Sequence, residues 1–377
     1  MTGRALVRVI ATATGLAATA AASAFALPTM VRLGYTGCAA CHLAAQGGGP
    51  LNDYGRGIDE AQSLRAGEYR ADDQRRRLTH DVRLVIQQSS LWAAGASGVN
   101  TFRPRLMYRN VTAITNAFRV SGVVTAEGAA ARRPARSYDP AARDSAAFVN
   151  TALVHYQPHE TLEIAAGRDQ LPSGINVPDL VPYIKSRNRL GYYDSPTQVK
   201  AYWWGKRHHV SPFVYGPGGN EMPGEGESGG GTLAEFDLLA NQRTVIGTTV
   251  VKGAARNGTR QMVGAYARLG FGPWGILAEH DVTARTRTDA AAASFRQSAT
   301  YAQVFWAARE WLVLSGVGER LRVGQPFEER LNAGRFEVAA RLASQVTIVV
   351  GTRVEKNTMS GQVSKSLILQ TALKTVN

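Results

Sequence analysis

The chain has 377 residues, of which 44% are hydrophobic and 19% charged, and it carries a formal net charge of +14 at pH 7. A basic chain indicates anionic neighbours, but no nucleic-acid-binding motif occurs, so nucleic acid is not expected as a partner. After the first 26 residues, no stretch is apolar for long enough to form a membrane-spanning helix.

Residues 1–26 have the composition of a secretory signal peptide. Arg4 and Arg8 give a positively charged start. An apolar run from Val9 to Ala22 follows and ends just before Ala24-Phe25-Ala26, an A-x-A cleavage signal. The run is shorter than the roughly 20 residues of a membrane-spanning helix. We therefore expect cleavage after Ala26 and export from the cytoplasm, rather than a membrane anchor.

Both cysteines of the chain lie in one motif close to this cleavage site. Cys38-Ala39-Ala40-Cys41-His42 is a C-x-x-C-H sequence, the attachment site of a c-type haem. Each cysteine sulfur forms a thioether with one haem vinyl group, and the spacing of two residues brings both sulfurs to one edge of the macrocycle. His42 then lies beneath the iron as its proximal ligand. The motif therefore predicts one covalently attached haem c.

Three other interpretations of the cysteines are a Cys38–Cys41 disulfide, a thioredoxin-like redox pair and a zinc site. The disulfide leaves the adjacent histidine unexplained. The redox pair requires a βαβ context, which the sequence does not show. The zinc site requires two further ligands, and the chain has no other cysteine.

The residues after the motif fit a small haem module, which we place with its linker at residues 27–77. Gly47-Gly48-Gly49-Pro50 lets the backbone pass close to a flat ligand, because glycine has no side chain. Four side chains are expected to cover the porphyrin, namely those of Tyr35, Leu43, Leu51 and Tyr54. Arg56 is a candidate partner for a haem propionate.

The distal haem ligand is left open by the sequence. Within the module, Met30 is the candidate. A methionine would raise the reduction potential and a histidine would lower it. Histidines farther along the chain are His80, His155, His159, His208, His209 and His280. Among them, His208 and His209 are favoured because they follow a predicted tight turn.

From about His80 onward, apolar and polar residues alternate along the sequence. In residues 345–354, for example, Val346, Ile348 and Val350 share one face, while Thr347 and Arg353 share the other. A side-chain period of two is typical of a β-strand with one apolar face. About sixteen such segments of about ten residues each follow one another, the length expected of tilted membrane strands.

The connections between these segments alternate between short and long. Short ones are predicted at 158–160, 205–206, 241–242, 270–273 and 343–344. Long ones are predicted at 127–145, 168–196, 216–231, 285–293 and 322–333. This alternation is typical of an outer-membrane barrel, whereas a soluble β-sandwich has no reason to show it. We therefore predict a mainly β fold, with an antiparallel outer-membrane β-barrel of about 16 strands over residues 78–377 and the haem module plugging its lumen.

Two further groups of residues fit this barrel. An aromatic girdle at the membrane surface is expected from Tyr202, Trp203, Trp204, Trp274, Trp306 and Trp311. Charged side chains expected to face the lumen and hold the module are Glu235, Asp237, Arg335, Glu337 and Arg341. In the long connection 216–231, the acidic residues Glu221, Glu225 and Glu227 are candidate contacts for a cationic donor.

This combination resembles the fused monohaem cytochrome c–porin family of the bacterial outer membrane, which includes ferrous-iron-oxidising cytochromes. The resemblance rests on the signal peptide, on Cys38, Cys41 and His42, and on the barrel that follows a short linker. It implies an outer-membrane protein whose N-terminus and haem module lie on the periplasmic side. Electrons from an extracellular donor, ferrous iron or another reduced species, would pass through the haem to a periplasmic c-type cytochrome. That activity is electron transfer of the ferrous-iron:cytochrome c oxidoreductase type.

Two alternative functions are compatible with the same sequence. One is a haem-plugged porin with a transport or sensing role. The other is the barrel component of a larger multihaem electron conduit. In each case the outer face of the barrel would contact outer-membrane lipid.

Overall fold

The structure is a computed structural model that describes residues 28–34, 41, 51–64, 78–93, 99–127, 147–176, 182–191, 194–218, 226–241, 243–288 and 293–375. The predicted signal peptide, Cys38 and His42 lie outside these residues. Among the residues that are described, no helix is long and apolar enough to cross a membrane.

Within the described residues, sixteen antiparallel strands form one closed barrel, in which each strand pairs with its sequence neighbours and β1 pairs with β16. The strands are β1 (Leu78–Ala93), β2 (Val99–Ala113), β3 (Phe118–Glu127), β4 (Ala147–His159), β5 (Leu162–Arg168), β6 (Thr197–Trp204), β7 (His208–Gly216), β8 (Ser228–Asp237), β9 (Thr244–Ala255), β10 (Gly258–Phe271), β11 (Trp274–Arg287), β12 (Ser294–Arg309), β13 (Leu312–Val323), β14 (Glu329–Ala343), β15 (Val346–Asn357) and β16 (Val363–Lys374). The predicted barrel of about sixteen strands is confirmed.

Successive side chains of a strand point to opposite faces of the barrel wall, so the alternation of apolar and polar residues sorts them between lipid and lumen. In β14, Arg335 faces the lumen and is 9% exposed, whereas the next residue, Phe336, faces outward and is 50% exposed. The outward face is thus apolar and the inward face carries most of the charge. Charged side chains buried in the lumen need partners, because an unpaired buried charge is costly.

The two ends of the barrel differ in their connections. At one end, called the turn end, strands are joined by short turns such as 160–161, 272–273, 310–311 and 344–345. At the other, called the loop end, the connections include 128–146 and 169–196. The predicted short connections all lie at the turn end.

Two details at the loop end differ from the prediction. The connection expected at 322–333 is only residues 324–328, because β13 and β14 continue farther than expected. β9 and β10 are joined by Arg256 and Asn257 alone. Gly258, the first residue of β10 after this turn, has a φ of 155°, a backbone conformation that glycine adopts readily. The alternation of short and long connections is therefore only a tendency, because several loop-end connections (94–98, 256–257, 324–328 and 358–362) are shorter than the turn-end connection 238–243.

The aromatic girdle is present only in part. Trp274 and Trp306 lie opposite each other on β11 and β12, and their rings stack with centroids 5.7 Å apart on the outer face. Tyr202, however, is 1% exposed and stacks with Trp204 at 5.9 Å. Because side chains alternate along β6, both rings face the lumen and only Trp203 between them faces outward. The prediction that Tyr202 and Trp204 belong to the girdle was wrong.

The connection between β5 and β6, called here the inner loop (residues 169–196), folds into the lumen instead of projecting from the barrel. It contains the short helix α2 (Tyr183–Ser186). Leu171, Ile175, Ile184 and Leu190 of this loop are each no more than 4% exposed. Ile175 and Ile184 pack against apolar residues on the inner wall, among them Leu277, Tyr301 and Leu321. Leu171 and Leu190 pack against another part of that wall, formed by Phe213, Tyr215, Val251 and Met262.

The described residues before β1, called here the N-terminal segment (residues 28–34, 41 and 51–64), lie at the turn end. A 3₁₀-helix spans Pro28–Leu33 and contacts β10 and β11. Helix α1 spans Asp53–Ala61, and at its start the Gly55 N–H donates to Asn52 Oδ1 at 2.7 Å. Asparagine is a preferred residue before a helix because its side chain satisfies such an N–H group.

Candidate functional site

Cys41 is the residue of the C-x-x-C-H motif that the structure describes, and it lies against α1. Its carbonyl oxygen accepts a hydrogen bond from the Asn52 N–H at 2.9 Å. A Cβ atom at Gly55 would lie 2.1 Å from the same oxygen, so only glycine permits this approach. The position of Cys41 is therefore fixed by its backbone.

The thiol of Cys41 is free and half-buried. Burial raises the pKa of this thiol, and the Asp59 carboxylate raises it further. A nucleophilic cysteine needs surroundings that lower the thiol pKa, so Cys41 is not an activated thiol.

A cluster of charges joins α1 to the barrel wall. Arg341 Nη1 on β14 lies 2.8 Å from Asp59 Oδ1, and both side chains are less than 10% exposed. Lys374 Nζ on β16 lies 3.8 Å from the other oxygen of Asp59. The Leu64 N–H also donates to the Arg341 carbonyl at 2.9 Å. Arg341 is one of the residues expected to hold the N-terminal segment, and it does contact it.

A second contact involves Glu310 in the turn between β12 and β13. Its Oε2 lies 2.6 Å from Arg32 Nη2 and accepts a hydrogen bond from Gln62 Nε2 at 2.7 Å. Arg32 also donates to Gln62 Oε1 at 3.3 Å. This contact ties the 3₁₀-helix and the end of α1 to each other and to one turn. The sequence does not predict this contact, because an acidic residue in a turn carries no distinctive signal.

The other charged residues expected to hold the segment behave differently. Arg335 and Glu337 pair with each other at 3.2 Å along β14. Glu235 pairs with Arg268 of β10 at 2.6 Å. These residues face the lumen as predicted, but their pairs lie within the barrel wall.

The acidic residues predicted to contact a cationic donor are only partly described. Glu221 and Glu225 lie outside the described residues. Glu227 Oε1 lies 2.5 Å from Arg260 Nη2 and also accepts a hydrogen bond from the Tyr215 hydroxyl. Burial acts to raise the pKa of Glu227, but Arg260 and Tyr215 outweigh it and hold that pKa below its usual value. Glu227 is thus engaged inside the barrel rather than presented to a donor.

The inner loop bridges the lumen to the wall opposite its own strands. Its Ile175 N–H donates to Glu279 Oε2 of β11 at 2.6 Å. The Tyr183 N–H donates to Glu319 Oε2 of β13 at 2.8 Å. Beyond α2, Arg187 Nη2 lies 3.0 Å from Glu329 Oε1 of β14. Backbone and side-chain groups of the loop therefore span the interior of the barrel.

The candidate distal ligands lie in different surroundings. Met30 is half-buried on the 3₁₀-helix. Alternation along their strands directs three of the histidines to the outer face, namely His80, His208 and His280. His159 is exposed at the turn end. His155 is buried, but its Nε2 lies 2.7 Å from Ser121 Oγ and its Nδ1 lies 2.8 Å from Glu163 Oε1, so both ring nitrogens are engaged.

His209 is the histidine that faces the lumen at the turn end of β7. Its Nδ1 lies 3.5 Å from Glu235 Oε2. The other oxygen of Glu235 accepts hydrogen bonds from Arg268 at 2.6 Å and from the Tyr266 hydroxyl at 2.8 Å. Trp204 lies beside the imidazole, with ring centroids 5.7 Å apart and planes 14° from parallel. Within the described part of the chain, His209 Nε2 is buried and has no hydrogen-bond partner.

Comparison with known proteins gives similarity at the level of structure. No protein-family model and no curated protein matches the chain. Among solved structures, OprB of Pseudomonas putida superposes with a TM-score of 0.59 at 8% identity, covering 79% of this chain and 94% of that one. A loop-deletion mutant of Vibrio cholerae OmpT gives 0.59 at 8% identity, covering 79% and 100%. The anion-selective porin of Comamonas acidovorans gives 0.56 at 10% identity, covering 79% and 99%. Residues 78–375 thus have the fold of an outer-membrane porin barrel.

Proposed function

We propose that the protein is an outer-membrane electron-transfer protein that holds one covalent haem c at the turn end of its barrel. Electrons would pass from an extracellular reduced donor, ferrous iron foremost, through the haem to a periplasmic c-type cytochrome. The observation that supports this proposal is the attachment of the N-terminal segment. Contacts through Asp59 and Arg32 fix the segment that carries the C-x-x-C-H motif to the turn-end strands.

The surroundings of Cys41 fit a covalently attached haem. Its thiol is free, and the close packing of Gly55 on its carbonyl oxygen holds the backbone in place. Cys38 would supply the second thioether and His42 the proximal ligand, as the motif requires. The haem, when bound, supplies a one-electron couple between ferrous and ferric iron.

The inner loop also favours electron transfer over free diffusion of solutes. It bridges the lumen through contacts with β11, β13 and β14, and its apolar side chains are buried against the wall. A solute needs an open path of its own width, whereas an electron needs only a fixed cofactor within reach of its partners. A barrel that is crossed by a loop and bound to the N-terminal segment at one end can hold a fixed cofactor but leaves little open path for a solute.

We infer the cellular orientation from the two ends of the barrel. Short turns face the periplasm in outer-membrane barrels and long loops face outward. The turn end would thus be periplasmic, which is where haem is attached to C-x-x-C-H motifs and where an electron acceptor would dock. The apolar outward face, with Phe336 at 50% exposure, would contact lipid.

The first test is the haem itself. The full chain, produced in a host that attaches c-type haem and purified in detergent, should show c-type absorption bands and one haem per chain. Cys41→Ala should lower covalent haem, and Cys38→Ala with Cys41→Ala should abolish it. A wild-type protein without haem would contradict the proposal.

The second test concerns the donor. Anaerobic addition of ferrous iron to the oxidised protein should produce the reduced absorption bands within seconds. An intact haem that stays oxidised with iron but accepts electrons from another reductant would contradict the iron assignment and leave the electron-transfer role in place.

A second candidate function is a solute channel that the N-terminal segment obstructs. The porin fold of residues 78–375 is the observation that favours it. Conductance in planar bilayers separates the two functions. The electron-transfer proposal predicts little conductance for the full chain, and little gain when residues 27–64 are deleted, because the inner loop still crosses the lumen. A large gain in conductance when residues 27–64 are deleted would favour the channel.

A further inference from the structure

We propose that the outer face of β13 to β16, at the loop end of the barrel, binds a phosphorylated lipid of the surrounding membrane leaflet. The inference goes beyond the proposed electron transfer and does not depend on the haem. It concerns the lipid-facing side of the wall, to which the proposed function assigns no specific ligand.

A cluster of cations on this face, called here the basic patch, is the first observation. Its members are Arg320, Arg322, Arg330, Lys356 and Lys365. All five are exposed. Each lies within three residues of the loop end of its strand. Because side chains alternate along a strand, all five point away from the lumen.

The carboxylates of the same strands lie on the other face of the wall. Glu319 and Glu355 both pair with Arg353 inside the lumen. Glu329 pairs with Arg187 of the inner loop, and Glu337 pairs with its strand neighbour Arg335. Alternation therefore places the anions of β13 to β15 inside and leaves cations at the outer rim.

Two arginines of the basic patch lie directly opposite each other. Arg322 of β13 is in register with Arg330 of β14. Like charges at directly opposite positions of adjacent strands are destabilising. Among the residues that the structure describes, neither guanidinium forms an ion pair, and this includes Glu328 of the connection between the two strands. An anion bound from outside the protein would relieve the repulsion and use both guanidinium groups.

The other donors of the patch favour phosphate as that anion. Arg320 lies opposite Asn332, which in turn lies opposite Lys356 of β15. Arginine presents a planar set of donors that matches phosphate oxygens, and lysine adds a compact positive charge. A phosphate monoester carries a charge of about −1.5 to −2 and three acceptor oxygens. Several donors side by side suit such a group better than a single carboxylate.

The patch lies at the depth expected of a lipid headgroup. Trp306, on the outer face near the turn end, lies opposite Leu314 of β13. Arg322 is eight residues farther along that strand, which is about 27 Å. With a strand tilt of about 40°, this corresponds to about 20 Å across the membrane, and the apolar band of such barrels is about 25 Å tall. The arginines are thus at the polar edge of the band, where lipid phosphates lie.

Between the patch and the turn end, the outer wall has a shallow depression. Gly316, Gly318 and Gly334 face outward, and a Cβ at any of them would meet no atom within 4 Å. The packing of the barrel itself therefore does not require glycine at these positions. Glycine within a strand often marks a site that a ligand approaches closely. An acyl chain of a lipid whose phosphate lies on the basic patch would fit this depression.

A neighbouring part of the rim lacks these features. On β1 and β2, the outward residues near the loop end are Ser90, Trp92, Asn100 and Phe102. These four residues are uncharged, and Ser90 Oγ donates a hydrogen bond to Asn100 Oδ1 at 2.6 Å. The basic patch is therefore local, as expected of a binding site for one kind of lipid.

The test is lipid binding by the full-length protein in nonionic detergent, measured by native mass spectrometry. The probe is diphosphoryl lipid A, and zwitterionic phosphatidylcholine is the comparison. The wild type should bind the probe in preference. Arg322→Gln with Arg330→Gln should lower the affinity for the probe about tenfold or more. The matched control, Lys252→Gln with Arg256→Gln, removes two exposed cations at the loop end of β9 and should leave the affinity unchanged.

Thermal unfolding gives a second measurement. The probe should raise the midpoint of the wild type, because a ligand that binds only the folded state stabilises it. Without lipid, Arg322→Gln should unfold no earlier than the wild type, since the like-charge pair is gone. The probe should raise the midpoint of this variant by less. If the double variant does not fold, this single variant decides.

The outcomes separate the lipid site from its alternatives. Wild-type affinity in the double variant, an equal loss in the control, or no preference over phosphatidylcholine would each overturn the inference. Displacement of the probe by inorganic phosphate at equal phosphate concentration would indicate a site for the free anion and overturn the assignment to a lipid. A protein that binds the probe but contains no haem would overturn the proposed function and leave this inference in place.

Discussion

The two sides of the lumen wall neutralise their buried carboxylates in different ways. On β1 to β5, called here the self-paired side, carboxylates bond to arginines of the same wall. Asp81, for example, receives two hydrogen bonds from Arg109, at 2.7 and 2.9 Å. On β11, called here the loop-paired side, the partners come from the inner loop. Glu279 lies 3.5 Å from Lys185 Nζ, and Asp281 accepts a hydrogen bond from Asn188 at 2.8 Å.

The difference shows which part of the lumen the barrel completes alone. On the self-paired side, the carboxylate and the arginine of a pair lie on adjacent strands, so they meet when the sheet forms. The loop-paired side has two buried carboxylates two residues apart, those of Glu279 and Asp281. Their lysine, Lys185, belongs to the inner loop, which follows β5 and so precedes β11 by six strands. Burying a charge without a partner is strongly unfavourable. The inner loop is thus a structural requirement of one side only.

The largest effect is expected from removing the lysine of the loop-paired side. Lys185→Met leaves Glu279 and Asp281 without their cation, and breaking a buried pair costs about 3–5 kcal/mol. The midpoint of thermal unfolding in detergent, followed by circular dichroism, measures this loss. The control Lys206→Met changes an exposed lysine in the turn between β6 and β7 and should have little effect. If Lys185→Met unfolds like that control, the loop-paired side does not depend on the inner loop.

The self-paired side should respond differently to removal of a whole pair. Arg109→Met alone should cost about 3 kcal/mol, because Asp81 is left buried without its partner. Replacing both residues by apolar ones of similar size, as Asp81→Leu with Arg109→Met, should recover most of that loss. The equivalent double change on the loop-paired side, Glu279→Gln with Lys185→Met, should recover less, because the loop also loses its attachment. If both double variants recovered the same stability, the two sides would not differ in their dependence on the inner loop.

A smaller and more local effect is expected where the N-terminal segment meets the barrel. Asp59→Asn removes the charge that Arg341 and Lys374 share, and a hydrogen bond to a charged group contributes about 1.5–3 kcal/mol. The N-terminal segment should become easier to cleave in limited proteolysis, while the barrel keeps its thermal midpoint. Glu310→Gln is the matched comparison and should weaken attachment by less than about 1 kcal/mol, because that carboxylate is 56% exposed.

The smallest effect concerns pH at the loop end. The pKa of Glu227 is lowered in the folded protein, so its ionised form contributes stability above the ordinary glutamate pKa of about 4.3. That contribution is lost as the pH falls through the lower folded-state value. Glu227→Gln should therefore reduce stability at pH 7 and approach the wild type in acid. Thermal midpoints from pH 7 to pH 3 measure the trend, with the exposed Glu328→Gln as control. A difference that does not depend on pH would contradict the role of the charge.

The barrel could be predicted from the sequence because the alternation of apolar and polar residues is repeated in every strand. Alternation fixes the inward position of Arg335 and the outward position of Phe336, and it also gives the strand count. The same rule shows that Tyr202 and Trp204 share the inward face, although aromatic residues near a strand end were expected to form a girdle. Residue type was given more weight there than alternation, which is the stronger physical constraint.

The inner loop was recognised as a long connection, but its position inside the lumen was not. A signal was present in Leu171, Ile175, Ile184 and Leu190, which are apolar residues in a segment expected to be solvated. Their partners lie on β7, β9 and β10 for the two leucines and on β11 to β13 for the two isoleucines, and a single sequence does not reveal such pairing. The same holds for His209. Its favoured position after a turn was visible, but its contact with Glu235 depends on the register of β7 and β8.

The pairing of β1 with β16 has a consequence for the order of assembly. The first strand finds its second neighbour only when the last strand of the chain is available. The N-terminal segment precedes β1 and meets the barrel at the end where β16 finishes, so it can dock after the wall has closed. The inner loop starts from the opposite rim and must fold inward from there. The N-terminal segment and the inner loop thus enter the lumen from opposite ends of the barrel.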